Sequence, residues 1–196
     1  MERGNINLNK PERFTDGYTI PKEKLQKALD IVLKKLRDKA SVYKDNFPKP
    51  ADEMWRYVLG ENFRWVHGMH TGTYILAYEA TGDNVFLDVA KHHLKSYERR
   101  ITDDINLRDH DVGFVFSPSC VAYYKVTGDE YAKNLSLTAA DILYDRCYSE
   151  KGGFIMRVAS AKDNYDESCL KGCRTMMDTL MNIPLFFWAT KETGNE

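Results

Sequence analysis

The stretch Arg174-Thr175-Met176-Met177-Asp178-Thr179-Leu180-Met181-Asn182-Ile183-Pro184-Leu185-Phe186-Phe187-Trp188 decides the fold. It reads as one helix that is apolar on nearly every face, and such a helix belongs in a core. A single carboxylate, Asp178, sits within its first turn or so. A buried carboxylate is costly unless it is paired, hydrogen-bonded or put to use. A first-turn Asp can also simply satisfy the helix dipole, so this helix alone does not settle its role.

The segment closes at Thr193-Gly194-Asn195, and the same punctuation occurs earlier at Thr81-Gly82-Asp83 and Thr127-Gly128-Asp129. Each copy ends an apolar stretch: 65–80, 112–126 and 175–192. The first two copies also open amphipathic helices, over 83–99 and 129–146. A glycine past a helix end, followed by an Asp able to cap the next helix, makes a tight helix–helix turn. Leu25, Ala28, Leu29, Val32, Leu33, Leu36, Ala40 and Tyr43 recur at helical spacing and predict a further surface helix over 21–44. Residues 1–20 read as a surface arm. A loop covers 47–62, and a long polar loop from Gly152 to Gly172 holds a short strand at Phe154–Val158.

Buried inner helices alternating with half-exposed outer ones describe concentric rings, an all-α toroid of α/α hairpins in a single domain. A plain α-solenoid would bury its helices more equally.

Composition narrows the function. The 196 residues suffice for one domain with a substantial core. A formal net charge of −1 supplies no field to gather nucleic acid or an anionic membrane. The 12 Tyr, 9 Phe and 3 Trp suit a carbohydrate pocket. No apolar run is long enough to span a bilayer, and Met1 to Lys10 lacks the apolar core of a signal peptide. Cys120, Cys147, Cys169 and Cys173 lack zinc-site spacing and read as free thiols in a reducing cytoplasm. His67 and His70, three apart, have no third ligand nearby, so neither a metal nor a cofactor is expected. His92 and His93 point apart as surface or packing residues, and Arg99-Arg100 reads as a charge pair complementing a helix C-terminus.

Measured back from the three turns, Trp65 precedes Thr81 by 16 residues, Asp111 precedes Thr127 by 16, and Asp178 precedes Thr193 by 15. All three lie roughly 23–24 Å above the turns at about 1.5 Å per residue. An aromatic and two carboxylates then face one mouth of the ring. That is a stacking platform for a sugar with carboxylates for acid–base work, about 5–10 Å apart. Helix N-termini there favour an anionic ligand group. Three N-terminal-turn residues engaged in capping and packing are the competing account.

The segments Trp65-Val66-His67-Gly68-Met69-His70-Thr71-Gly72, His110-Asp111-Val112-Gly113-Phe114 and Met177-Asp178-Thr179-Leu180-Met181-Asn182-Ile183-Pro184-Leu185 resemble unsaturated glucuronyl hydrolases of glycoside hydrolase family 88. The resemblance runs from about residue 20 to the end. It implies an (α/α)6 barrel of which this chain is the N-terminal half. It also implies hydration of the C4=C5 bond in the unsaturated uronate that polysaccharide lyases leave on oligosaccharides. Within it, Asp178 matches the acid/base, Asp111 the partner carboxylate, and Trp65, His110, His70 and Asn182 the substrate-binding groups. The family commonly has an aromatic where this chain has His70, and a Trp where it has Val158-Ala159. The related unsaturated rhamnogalacturonyl hydrolases share barrel and chemistry, and a truncated, non-catalytic sugar-binding chain is the alternative of another class. Half a ring leaves an open edge, so self-association or a separate C-terminal half is expected.

Overall fold

The structure is a computed structural model that describes residues 20–54, 56–157 and 175–195. The expected arm, apart from Ile20, lies outside the described residues, as do Val158-Ala159, Cys169 and Cys173.

Helix follows helix along most of the chain. Helix α1 spans Lys22–Tyr43, α2 Val66–Thr81 and α3 Asn84–Thr102. Next come α4 (Val112–Phe116), a π-helical turn (Ser117–Val121) and α5 (Ala122–Thr127), continuous with one another, and then α6 (Glu130–Cys147). A 3-10 turn, Met177–Met181, leads into α7, Ile183–Thr193. Among the described residues there are also two small antiparallel hairpins: β1 (Phe47–Ala51) with β2 (Tyr57–Gly60), and β3 (Tyr148–Ser149) with β4 (Phe154–Ile155).

The chain divides into two compact units, Met1–Lys35 and Leu36–Glu196. In the first, Leu25, Leu29 and Val32 of α1 are exposed, so the expected apolar stripe is not buried there. In the second, α2 packs on α3 and on the α4–π–α5 rod, α6 packs on that rod and on α3, and α7 packs on α6 and α4. The inner row is thus α2, α4–α5 and α7, and the outer row α3 and α6. Tyr74 and Ile75 of α2, Phe86, Ala90 and Tyr97 of α3, Phe116 of α4 and Leu143 of α6 form the core.

The turns that set this alternation are copies of one another. Gly82, Gly128 and Gly194 have φ of 70°, 72° and 75°, a left-handed conformation that glycine adopts without a Cβ clash. Each donates its N–H to a carbonyl four residues back, at 2.7, 2.7 and 2.8 Å. In each, the threonine hydroxyl accepts from the N–H two residues on, at 3.2 Å. Asp83 then caps α3 through Val85 N–H, and Asp129 caps α6 through Ala132 N–H.

Four expectations need correction. The inner helix over 112–126 is continuous but not uniform, because Pro118 has no N–H for the carbonyl four residues back and the rod widens there into a π turn. The stretch 175–192, by contrast, is two pieces. Pro184 sits in the first turn of α7 and restricts the residue before it, which stops one helix from running through. That stretch is also not buried all round: Thr179, Asn182, Leu185 and Trp188 face inward, while Met177 and Phe187 are 90% and 74% exposed. Finally, the loop over 47–62 contains the β1–β2 hairpin. Pro48 and Pro50 disguise it, yet a two-stranded hairpin has free edges where a missing N–H costs nothing.

Inner helices approach closely where the sequence places glycine. A Cβ at Gly68 of α2 would lie 2.3 Å from the Val115 carbonyl oxygen and 2.6 Å from Val115 Cα. Backbone cannot yield as a side-chain tip can, so Gly68→Ala must push α2 off α4. Overpacking of this kind costs about 1–3 kcal/mol or more. A melting temperature lower by several degrees is expected in circular dichroism, and an unchanged value would contradict this packing.

Candidate active site

Asp111 immediately precedes α4, and Asp178 lies in the first turn of the 3-10 segment, yet neither carboxylate caps its helix. Asp83 and Asp129 do cap theirs, so the contrast argues against capping as the purpose of the other two. Both instead converge on His110. Its Nε2 lies 3.4 Å from Asp111 Oδ1 and 3.5 Å from Asp178 Oδ1. The ring is buried, and its Nδ1 sits against the Asp109 carboxylate. Ligand-type atoms of His110, Asp111 and Asp178 all fall within 4.8 Å of one another, closer than the range expected from the sequence.

The charges are tuned together. The Asp109 carboxylate raises the His110 pKa against the opposing effect of burial. Burial pushes Asp109 up, but its bonds with His110 outweigh this and leave its pKa lowered. Burial also raises the Asp111 pKa, His110 opposes, and the negative charges of Asp109 and Asp178 add to the rise. His110, Asp111 and Asp178 could hold a cation. His110's bias toward its protonated form favours a hydrogen-bond donor at that corner instead.

Trp65 is 44% exposed just before α2 and leans on Phe114, with ring centroids 5.4 Å apart. It lines a cleft of about 540 Å³ with Phe63, Arg64, Arg100, Asp109 and Asp111. Neither Asp178 nor His110 is among the residues lining that cleft, and Asp111 is the member of the cluster that does. Asn182 is fully buried between the helices: its Oδ1 accepts from Phe114 N–H at 2.8 Å, tying the Asp178 segment to the Asp111 helix. Its position is that of a clamp behind the site.

His70 is not brought to the cleft. Its ring packs among Tyr43, Phe47, Tyr74 and His93, with an unpartnered buried Nε2. Starting from Trp65, a helix carries residue 70 about 500° around its axis, well off the Trp65 face. His67 is also structural, its Nδ1 accepting from Phe63 and Arg64 N–H and its Nε2 donating to the Pro48 carbonyl.

Two residues at the site escaped the sequence reading. Asp109 orients His110 but looks like one more loop acid. Arg100 is buried at the cleft, although its neighbour Arg99 does pair with Asp103 at the helix end as expected of a surface charge. The missed signal is periodic: Phe86, Val89, Ala90, His93, Leu94 and Tyr97 mark the buried face of α3, and position 100 continues it.

Residues 39–196 match the model of Glycosyl Hydrolase Family 88. The chain belongs to this family. A relative from Streptococcus pneumoniae, an unsaturated chondroitin disaccharide hydrolase, is 36% identical over 191 residues, 96% of this chain and 46% of its own length. The crystal structure of unsaturated glucuronyl hydrolase from Streptococcus agalactiae superposes with a TM-score of 0.84 at 34% identity, covering 97% of this chain and 46% of that one. Another structure from Streptococcus agalactiae, an Asp-to-Asn mutant complexed with dGlcA-GalNAc6S, matches with a TM-score of 0.77 at 28% identity. The fold is therefore that of the (α/α)6 toroids, and the chain spans under half the length of the relatives it matches.

Proposed function

We propose that this chain supplies the carboxylate-bearing half of an unsaturated uronyl hydrolase, acting on oligosaccharides that end in a C4=C5-unsaturated uronate. The observation that carries the reading is the convergence of Asp111 and Asp178 on buried His110 beside a cleft walled by Trp65. Relatives named as hydrolases of unsaturated chondroitin disaccharide, and one bound to dGlcA-GalNAc6S, support the substrate class.

In this mechanism Asp178 gives its proton to C4 of the enol ether, leaving positive charge shared between C5 and the ring oxygen. Water adds at C5 and returns a proton to Asp178. The resulting hemiketal opens and the next sugar is released. Asp111, with its raised pKa, holds a sugar hydroxyl and steadies the developing cation. His110 fixes both carboxylates, and Trp65 offers a face to the sugar ring. The buried free thiols Cys120 and Cys147 suit a reducing, cytoplasmic setting, and among the described residues no helix is long and apolar enough to cross a membrane. The test is direct: incubation of the chain together with a second barrel half and an unsaturated disaccharide should abolish the ultraviolet absorbance of the conjugated double bond, while the chain by itself, lacking the far wall of the pocket, should turn over weakly or not at all. Binding without loss of absorbance would favour a sugar-binding role.

Association belongs to the same reading. Met177, Leu180, Met181 and Phe187 form an exposed apolar stripe on the Asp178 segment, and Leu76 is exposed on α2. Large contiguous apolar patches are uncommon on soluble monomers. The chain is expected to self-associate, or to bind a second barrel half, through this stripe. Sedimentation at micromolar concentration should show a species larger than monomer that Phe187→Glu and Leu180→Glu together disperse. A monodisperse monomer overturns this.

A further inference from the structure

Arg100 carries a charge the core has no packing need for. It is 1% exposed, one turn beyond Tyr97 on the inward face of α3, and burial lowers its pKa to about 10, so it stays charged at neutral pH. Among the described residues no carboxylate makes a close ion pair with it, and Asp111 acts on it only through the longer-range attraction of its charge. Its bonds go to three neutral acceptors: Asn62 Oδ1 at 3.1 Å, the Arg64 carbonyl at 3.0 Å and the Asn106 carbonyl at 3.4 Å. Nε is buried without a partner. A buried cation whose direct bonds all go to neutral groups is expensive, and an apolar side chain of similar volume would pack at less cost.

What the acceptors share is their place in the chain. Asn62 and Arg64 lead directly into Trp65, and Asn106 begins the run into His110 and Asp111. A second tie crosses the same gap, Asn106 Nδ2 to the Phe63 carbonyl at 2.7 Å. We infer that Arg100 is the positioning residue of the cleft, its planar fork holding the loop that carries Trp65 against the loop that carries Asp111. It touches neither carboxylate. It fixes the span between the aromatic platform Trp65 and the partner carboxylate Asp111, which sit at the cleft that Arg100 itself lines. Lysine keeps the charge and most of the stem, but one ammonium cannot reproduce the fork.

The catalytic consequence rests on the uronyl hydrolase reading, so two measurements keep the claims apart. In the complete protein, Arg100→Lys should lower kcat for an unsaturated disaccharide by about 10²-fold with KM little changed, the size of effect a displacement of about 1 Å produces. In the same variant the Trp65 indole N–H resonance should shift and broaden while that of Trp188 stays put. A wild-type protein without turnover sinks the hydrolase reading, and the Trp65 resonance then still decides the loop tie. An unmoved Trp65 resonance overturns the inference. So does a variant in which Trp65 and Trp188 broaden alike, or one with kcat unchanged, since neither separates Arg100 from an ordinary core residue.

Discussion

Replacing Asp178 with Asn should cost at least about 10²-fold in turnover of an unsaturated disaccharide, the usual contribution of a positioned proton-transfer group. Asn keeps the shape and a hydrogen-bonding tip but can neither give a proton to C4 nor take one from the attacking water. Asp178 is 46% exposed at its side chain, so removing its charge should leave the fold intact and the loss should be chemical. The effect should fall on kcat, since the proton moves only in the transition state. Because Asp178 sits 3.5 Å from His110 Nε2, the variant also removes one of the negative charges that raise the His110 pKa. That pKa, followed by NMR, should fall in Asp178→Asn even in a preparation without activity. Near-normal turnover would remove Asp178 from the acid/base role, and an unmoved His110 would remove it from the cluster.

The parts of this architecture that could be read from sequence are those set by short-range chemistry. The Thr-Gly turns were legible because a positive φ, a threonine back-bond and, in the first two, an Asp cap leave few alternative sequences, and the glycine and threonine bonds repeat in all three copies. Counting back from them brought Asp111 and Asp178 to one level, and the structure draws both to His110. The irregularity of the inner rods was not legible, because the apolar pattern of 112–126 and 175–192 carries on unchanged past Pro118, where the helix widens, and past Pro184, where it starts afresh. His70 misled for a related reason. Its place beside the Trp65 motif is a matter of sequence, but its direction is a matter of helical phase, and phase turns it into the Phe47–His93 cluster. Arg100 was hidden by a sound local rule. A basic pair in a last turn does complement the helix dipole, and Arg99 obeys it; only the burial phase of α3 separates the two. The exposed face of Met177 and Phe187 is of another kind, because an apolar helix announces that it must be covered without saying by what.

Mild acid should unfold the Leu36–Glu196 unit, with stability lost as pH falls from about 6.5 toward 4. Burial, the leading cause in each case, lowers the pKa of His67 to about 4, of His93 to about 4 and of His70 to about 3, from an ordinary 6.5. Geometry adds a reason for His67 to stay neutral, since its Nδ1 accepts from two backbone amides. His93 bonds the Tyr43 carbonyl through Nε2 with Nδ1 against the Thr71 hydroxyl, so burial is what keeps it neutral. The unfolded chain takes up protons at these sites through pH 6.5 and the folded chain does not. Their contribution is complete above that value and drains away below it. Each histidine removes up to about 1.4 kcal/mol per pH unit, and three together about 4, against a total stability on the order of 5–15 kcal/mol. His110 does not offset this. Its raised pKa adds stability below 6.5 that is lost only as pH rises, and Asp111, raised above 3.8 by burial, is one group set against the loss of three. His70→Phe isolates the cause. His70 Nε2 is buried without a partner and the ring sits among Tyr43, Phe47 and Tyr74, so a phenyl ring replaces it without orphaning a bond at that nitrogen. The variant's acid transition, followed by circular dichroism, should move to lower pH and lose about a third of its steepness. A stability flat between pH 6.5 and 4, or a transition that His70→Phe leaves in place, would show that these rings do not govern the acid limit of the fold.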